Sequence, residues 1–184
     1  MEKTNNIFRD LKASEIDVRV ATCKKNGVSL LLYKDARCDM NILDETVGPM
    51  NWERDHVLIN NSLFCRVGIN RNWNALELQP DWVWKQDVGT ESYTEKEKGQ
   101  ASDAFKRACF NWGIGRELYT APFIWIPSNS GKVTMDEKNG KCSTYDRFKV
   151  TQIVIKNKVI VALAIKNTSL NKMAFAVDNR KEGV

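Results

Sequence analysis

The chain has 184 residues, with 28 Lys+Arg, 23 Asp+Glu, a net charge of +5 and a pI near 8.9. At 42% hydrophobic and 28% charged residues it is not a disordered chain, and no run approaches the roughly 18 apolar residues of a membrane span. The polar start MEKTNNIFRDLKASEID lacks an apolar signal-peptide stretch, so a soluble, intracellular protein is expected. The surplus charge is uneven. Residues 140–184 hold nine basic and three acidic residues, +6, which leaves −1 over residues 1–139. That asymmetry hints at a polyanionic partner.

Residues 16–23 (IDVRVATC) alternate and predict a strand, and Lys24 to Gly27 is a turn signal. VSLLLY at 28–33 predicts a second strand. Residues 35–47 predict a helix with Ala36, Met40, Leu43 and Val47 on one face, stopped by Gly48-Pro49. Residues 52–60 and 62–70 predict strands joined through Asn60-Asn61. After a long, mobile loop at 71–80, residues 81–88 predict a third strand, with Trp82 and Trp84 on one face and Val83 and Lys85 on the other. The clearest helix runs from about 95 to 112. Thr94-x-x-Glu97 reads as its capping box and Gly113 as its C′ residue. Ala101, Phe105, Ala108 and Trp112 form its core stripe, roughly opposite Lys96, Gly99, Asp103, Lys106 and Arg107. The polar stretch after Pro127 reads as a linker or long loop. Residues 147–156 and 158–166 predict a hairpin turning at Asn157-Lys158, and the last dozen residues are expected to fray.

The expected fold is α+β: a curved antiparallel β-sheet packed on a central helix, a β-β-β-α core, with a C-terminal β-hairpin. Residues 1–127 are expected to form the core domain, and 128–184 a C-terminal extension with the basic hairpin and tail.

Several chemistries find no support. The five cysteines (23, 38, 65, 109, 142) are odd in number, widely spaced and without Cys-x-x-Cys, so neither a disulfide scaffold nor a zinc site is expected. They read as small buried hydrophobes. His56 is the only histidine and reads as an ordinary residue near a strand. Gly131-Lys132 precedes Val133, and Gly140-Lys141 precedes Cys142, so no Walker A motif is present. No cofactor or metal is expected. Asp81 and Asp136 would be the carboxylates of a metal-dependent nuclease.

The most informative segment is DVGTESYTEKEKGQASDAFKRACFNWGIGRELY, residues 87–119. A strand end leads into a helix that turns Lys106-Arg107 away from its apolar stripe. Gly99 lies on nearly the same face as Lys106, and glycine costs about 1 kcal/mol inside a helix. One reading is close approach of a phosphate-sugar backbone. The other is a tight helix-sheet contact with a solvated charged face, Asp103 pairing with Arg107 at i, i+4.

The segment resembles the signature of single-strand annealing proteins of the Rad fifty-two type, especially their phage and prophage branch. The resemblance rests on Asp87-Val88-Gly89, on Ser102 to Ala108, on Trp112-Gly113, and on Gly113 to Arg116 with Leu118-Tyr119. A second block agrees in order: Tyr33-Lys34-Asp35-Ala36-Arg37, then Leu43, Gly48, Asn51 and Trp52. The two cover roughly residues 15 to 125. The resemblance implies a ring- or filament-forming β-β-β-α protein that binds single-stranded DNA in a basic groove. It implies Lys106 and Arg107 as the main helix pair, Arg37 as the groove arginine of the earlier helix, and Lys98 as a basic position upstream. The chain departs from the pattern at Phe110 and Pro49, where relatives carry an arginine and an aromatic residue.

The expected function is ATP-independent binding and annealing of single-stranded DNA in phage-type homologous recombination and DNA repair, without enzymatic activity. Arg66, Lys85 and Arg116 are secondary contact candidates. Expected partners are single-stranded DNA, further copies of the chain, and a host single-strand-binding protein or recombinase, in a bacterial cytoplasm and without a membrane. A duplex-binding module, a metal-dependent nuclease or a purely structural phage assembly protein are the alternatives. Of the six tryptophans, Trp52, Trp82, Trp84 and Trp112 are expected to be packed and Trp73 to be the most exposed.

Overall fold

The computed structural model describes residues 7–75, 77–91 and 95–180. In chain order the first elements are β1 (Asp17–Lys24), β2 (Gly27–Tyr33), α1 (Ala36–Val47), β3 (Trp52–Ile59), β4 (Ser62–Asn70), β5 (Trp82–Val88) and α2 (Lys96–Asn111). There follow β6 (Ile124–Pro127), β7 (Asp136–Lys138), β8 (Lys141–Ser143), β9 (Phe148–Lys156), β10 (Val159–Asn167) and β11 (Lys172–Asp178). They form two compact units. One is Ala36–Gly115 with the described residues before Asp10; the other is Asp10–Asp35 with the described residues from Arg116 onward.

The first unit contains the expected β-β-β-α arrangement. β3, β4 and β5 form an antiparallel meander. Asn60 and Asn61 turn the first hairpin with φ of 50° and 61°, the left-handed pair that a two-residue turn needs and asparagine tolerates. Register puts Trp52, Ile69 and Val83 in one row, Arg54, Val67 and Lys85 in the next, and His56, Cys65 and Asp87 in a third. These rows share the face that α2 covers. Val67, Cys65 and Ile69 are buried there, together with Ala104, Phe105, Ala108 and Cys109 of the helix. The helix core is thus rotated slightly from the expected stripe, since Ala101 and Trp112 are half-buried. Full burial of a side chain such as Phe105 contributes about 1.5–3 kcal/mol.

Both helices stop where the sequence suggests. At Gly113 (φ 96°) the N–H donates to the Phe110 carbonyl, 2.9 Å, and the Ile114 N–H to that of Cys109, 3.2 Å. This is a Schellman closure, with Ile114 buried beside it. At the start of α2, Glu95 makes no side-chain capping bond, and Thr94, the expected cap, lies outside the described residues. The 71–80 segment is less open than expected. The buried Asn70 side chain accepts the N–H groups of Asn72 (3.0 Å) and Asp81 (2.9 Å), pinning both ends of the connection.

The second unit is a six-stranded antiparallel sheet in the order β11-β10-β9-β1-β2-β6. It curves until its edge strands β6 and β11 meet, so it is nearly closed. Its interior holds Val28, Leu30, Leu32, Ile124, Ile126, Val150, Leu163, Ile165 and Ala174. Asn157 (φ 50°) and Lys158 (φ 64°) turn the expected C-terminal hairpin. β2 can pair with β6 because residue 27 is glycine: a Cβ there would lie 2.7 Å from the Trp125 ring. Glu117 is fully buried, accepts the Leu11 N–H at 2.7 Å and faces Lys158 at 4.0 Å.

Two expectations are corrected in this unit. The tail expected to fray contains β11, stabilised by a ladder with β10 from Ala162↔Asp178 to Asn167↔Lys172. The stretch read as a linker or long loop contains β7 and β8, paired from Asp136↔Ser143 to Lys138↔Lys141. Polar composition hid β7 and β8, none of whose side chains is buried; β11 was hidden by its place near the end of the chain, where the β10 ladder and the buried Ala174 hold it.

Candidate nucleic-acid interface

Everything around Lys106 and Arg107 depends on where α2 lies over the sheet. A close helix-to-strand approach occurs at Gly89, where β5 runs into the helix. A Cβ on Gly89 would collide with the Gln100 carbonyl and sit 2.8 Å from the Ala104 nitrogen. The glycine of Asp87-Val88-Gly89 therefore sets the helix-to-strand distance. Gln100 donates back to the Gly89 carbonyl, 3.2 Å, and His56 donates to the Ala101 carbonyl, 3.2 Å. The one histidine is a helix-to-sheet tie.

Asp103 does not pair with Arg107. It accepts the Thr90 N–H (3.0 Å) and hydroxyl (2.9 Å), fixing the chain just after Gly89. Arg107 turns instead to Asp87, with Nε 3.3 Å from Oδ1. Asp87 also accepts its neighbour's Val88 N–H at 2.8 Å and the Asn111 amide at 3.4 Å. The guanidinium is thereby held along the helix flank while remaining part-exposed. Lys106, half-buried on the adjoining face, makes no ion pair among the described residues. The motif thus presents one oriented cation and one uncommitted cation side by side.

The other expected positions divide by unit and by face. Arg37 is exposed in the first turn of α1, within the first unit. Lys98 is exposed near the start of α2 and pairs with Glu95 at 3.3 Å. Lys85 is committed to the fold: its Nζ donates to the Asn111 carbonyl at 3.0 Å and lies 4.3 Å from the Trp112 ring centroid. It neutralises the carbonyl end of α2. Arg66 projects from the opposite face of the sheet, paired with Asp55 and 5.5 Å from the Trp84 ring centroid. That hydrogen bond and charge hold the Asp55 carboxyl below its ordinary range. Lys85 and Arg66 therefore do not line one wall. Arg116 is exposed in a short 3₁₀ turn of the second unit.

Arg54 was not anticipated. Its guanidinium lies 4.9 Å from the Phe105 ring centroid and 3.9 Å from the Met40 sulfur, so it bridges β3, α1 and α2. Its signal was period-two alternation: Trp52, Arg54 and His56 share a strand face. The tryptophan expectations need one exchange. Trp73 is half-buried, whereas Trp84 is 42% exposed. Trp52 and Trp112 are structural, donating to Asp44 Oδ1 (2.7 Å) and to the Val67 carbonyl (3.0 Å).

Metal-dependent cleavage gains nothing from these placements. Asp81 pairs with Arg71 at 3.3 Å, and Asp136 opens β7 on the surface. Among the described residues no three His, Cys, Asp or Glu side chains converge as metal ligands. Burial beneath α2 pushes the Cys65 thiol up to about 11. No described helix is long and apolar enough to cross a membrane.

The model of the Rad52/22 family, double-strand break repair proteins, matches residues 6–137. That span holds the first unit's described residues and the start of the second. No curated protein and no solved structure matches the chain.

Proposed function

The chain belongs to the Rad52/22 family of double-strand break repair proteins, and from that premise we propose that it binds and anneals single-stranded DNA without ATP. The observation that carries this reading is the Lys106–Arg107 pair on α2. Arg107 is oriented by Asp87, and Lys106 is uncommitted among the described residues. Two adjacent cations on one helix flank suit successive phosphates, and phosphate contacts bind without sequence preference. Arg37, Lys98 and Arg54 are proposed as further contacts in the same unit, the last because it is exposed beside α2. Arg66 and Arg116 are retained as peripheral contacts, and Lys85 as a support for the helix end.

Annealing needs no bond made or broken in the protein. Phosphates held by the chain leave bases available to a second strand, and bound strands meet at a raised effective concentration. Copies of the chain in a ring or filament would repeat a few cations into a continuous track. The proposed setting is phage-type recombination in a bacterial cytoplasm, with a host single-strand-binding protein or recombinase as partner. The test is the Lys106→Ala/Arg107→Ala double variant with unrelated single-stranded oligonucleotides. It should bind all of them more weakly and to the same degree. Parent-like binding, or a preference of the parent for duplex, would reject this reading.

A further inference from the structure

The two units differ sharply in charge. The second holds 17 basic and 10 acidic residues, +7, while the first holds 11 and 13, −2. Strand register gathers part of the excess on one sheet face. Asp17 of β1 stands opposite Tyr33 of β2 and Lys149 of β9; Lys149 stands opposite Lys166 of β10; Lys166 stands opposite Met173 of β11. Directly opposed residues project to the same face. Their chain neighbours Ile16, Leu32, Val150, Ile165 and Ala174 are buried, so this row faces away from the core. Tyr33 and Met173 are exposed at its two ends.

Opposed like charges destabilise a strand pair, yet Lys149 and Lys166 face each other directly. Among the described residues neither makes an ion pair, and Asp17, across from Lys149, is not within salt-bridge distance of it. An arrangement that the fold does not neutralise is suited to an anion from outside.

Next to these lysines the same face drops into a groove of about 310 Å³. It is open because its floor is alanine on two adjoining strands: Ala162 and Ala164 of β10, and Ala176 of β11. Gln152 and Val154 of β9 form one side, and the Arg180–Asp178 ion pair stands at the other. Ala164 is two residues from Lys166 along β10, a separation of about 7 Å. That is the reach from a phosphate to its own base.

We infer that this face is a second surface for single-stranded nucleic acid. Lys149 and Lys166 hold phosphate, and an unpaired base lies flat on the alanine floor with the polar groups of Gln152 and Arg180 at its edge. A paired base could not enter, because its partner would meet the walls. Lys149, Lys166 and the whole groove lie outside the residues matched to the family. The surface therefore adds to the α2 site rather than restating it. Its role in annealing rests on the function proposed above; its binding of a strand does not.

The test uses the full chain and a fluorescent oligothymidylate, with anisotropy read over a range of salt. Lys149→Gln/Lys166→Gln should weaken binding severalfold and flatten the salt dependence by about 1.4 in log–log slope, about 0.7 for each phosphate contact on a single strand. Its thermal transition should be no lower than the parent's, since a repulsive pair has been removed. Ala176→Tyr fills the groove from an exposed position, and should weaken binding while keeping the parent's salt slope. Parent-like affinity and slope in the lysine variant overturn the inference. Parent-like affinity in Ala176→Tyr overturns the base-binding groove. Lys106→Ala/Arg107→Ala, measured alongside, separates the two sites. A loss there with a parent-like Lys149→Gln/Lys166→Gln leaves only the α2 site, and the converse leaves only this one.

Discussion

The two units carry their positive charge in opposite ways. In the first, net −2, cations are few and several are fixed by named partners: Arg107 by Asp87, Lys85 by the end of α2, Arg66 by Asp55. In the second, net +7, cations stand in strand rows, and Lys149 and Lys166 oppose each other without an ion pair. Net charge alone would send a search for a polyanion site to the second unit and miss α2 altogether. Placement identifies the first site and abundance the second. Long-range attraction follows the total charge of a surface, whereas positioning of a phosphate follows the few groups in contact with it.

That contrast can be broken, beginning with the packing that places α2. Phe105 is fully buried between helix and sheet, so Phe105→Ala should cost about 3–5 kcal/mol in urea unfolding. Gly89→Ala should cost about 1–3 kcal/mol or more, because the added methyl meets helix backbone that cannot yield cheaply. If Gly89→Ala leaves stability and binding unchanged, the helix-to-strand spacing is not set at that glycine.

Lys106→Ala/Arg107→Ala should lose on the order of tenfold in single-strand affinity near 0.1 M salt, with a slope flatter by about 1.4. Its fold should persist, since a part-exposed pair such as Arg107–Asp87 contributes about 1 kcal/mol at most. Lys85→Ala should invert that pattern. Loss of the Asn111 carbonyl contact and the Trp112 ring contact should lower stability by about 1 kcal/mol, with a much smaller change in salt slope. A large slope change would move Lys85 into the DNA-contacting set.

The smallest effects concern titration. The carboxyl of Asp55 is held low by Arg66, so its contribution to folding is complete above the ordinary aspartate range. That contribution should fade as pH falls through the lowered value. Unfolding midpoints of parent and Asp55→Asn should therefore begin to converge below about pH 4, the unperturbed aspartate value, and meet only below the lowered one. Cys65, with its thiol raised to about 11, stays protonated at pH 8. Alkylation of the folded chain there should label the half-buried Cys142, label Cys23 more slowly because burial and the neighbouring Cys142 raise its thiol, and spare the buried Cys38, Cys65 and Cys109.

Much of the architecture was legible because each signal was local. The Asn60-Asn61 and Asn157-Lys158 turns, the Gly113 helix end and the Phe105 face each follow from a few neighbouring residues. What was not legible depended on partners distant in sequence. β11 exists because β10 offers a free edge, and Asp103 bonds to Thr90 rather than Arg107 because Gly89 brings that strand end against the helix. Lys85 reads as an exposed strand cation until α2 is seen to end above it. The Lys149–Lys166 pair could be found only after the register of β9 and β10 was known.

The most direct measurement is duplex formation between complementary oligonucleotides mixed with the purified full chain without ATP, timed by fluorescence against protein-free strands. Marked acceleration by the parent is expected, with most of it lost in Lys106→Ala/Arg107→Ala at unchanged thermal stability. No acceleration by the parent, or undiminished acceleration by a folded double variant, would contradict the assignment of annealing to the α2 cations.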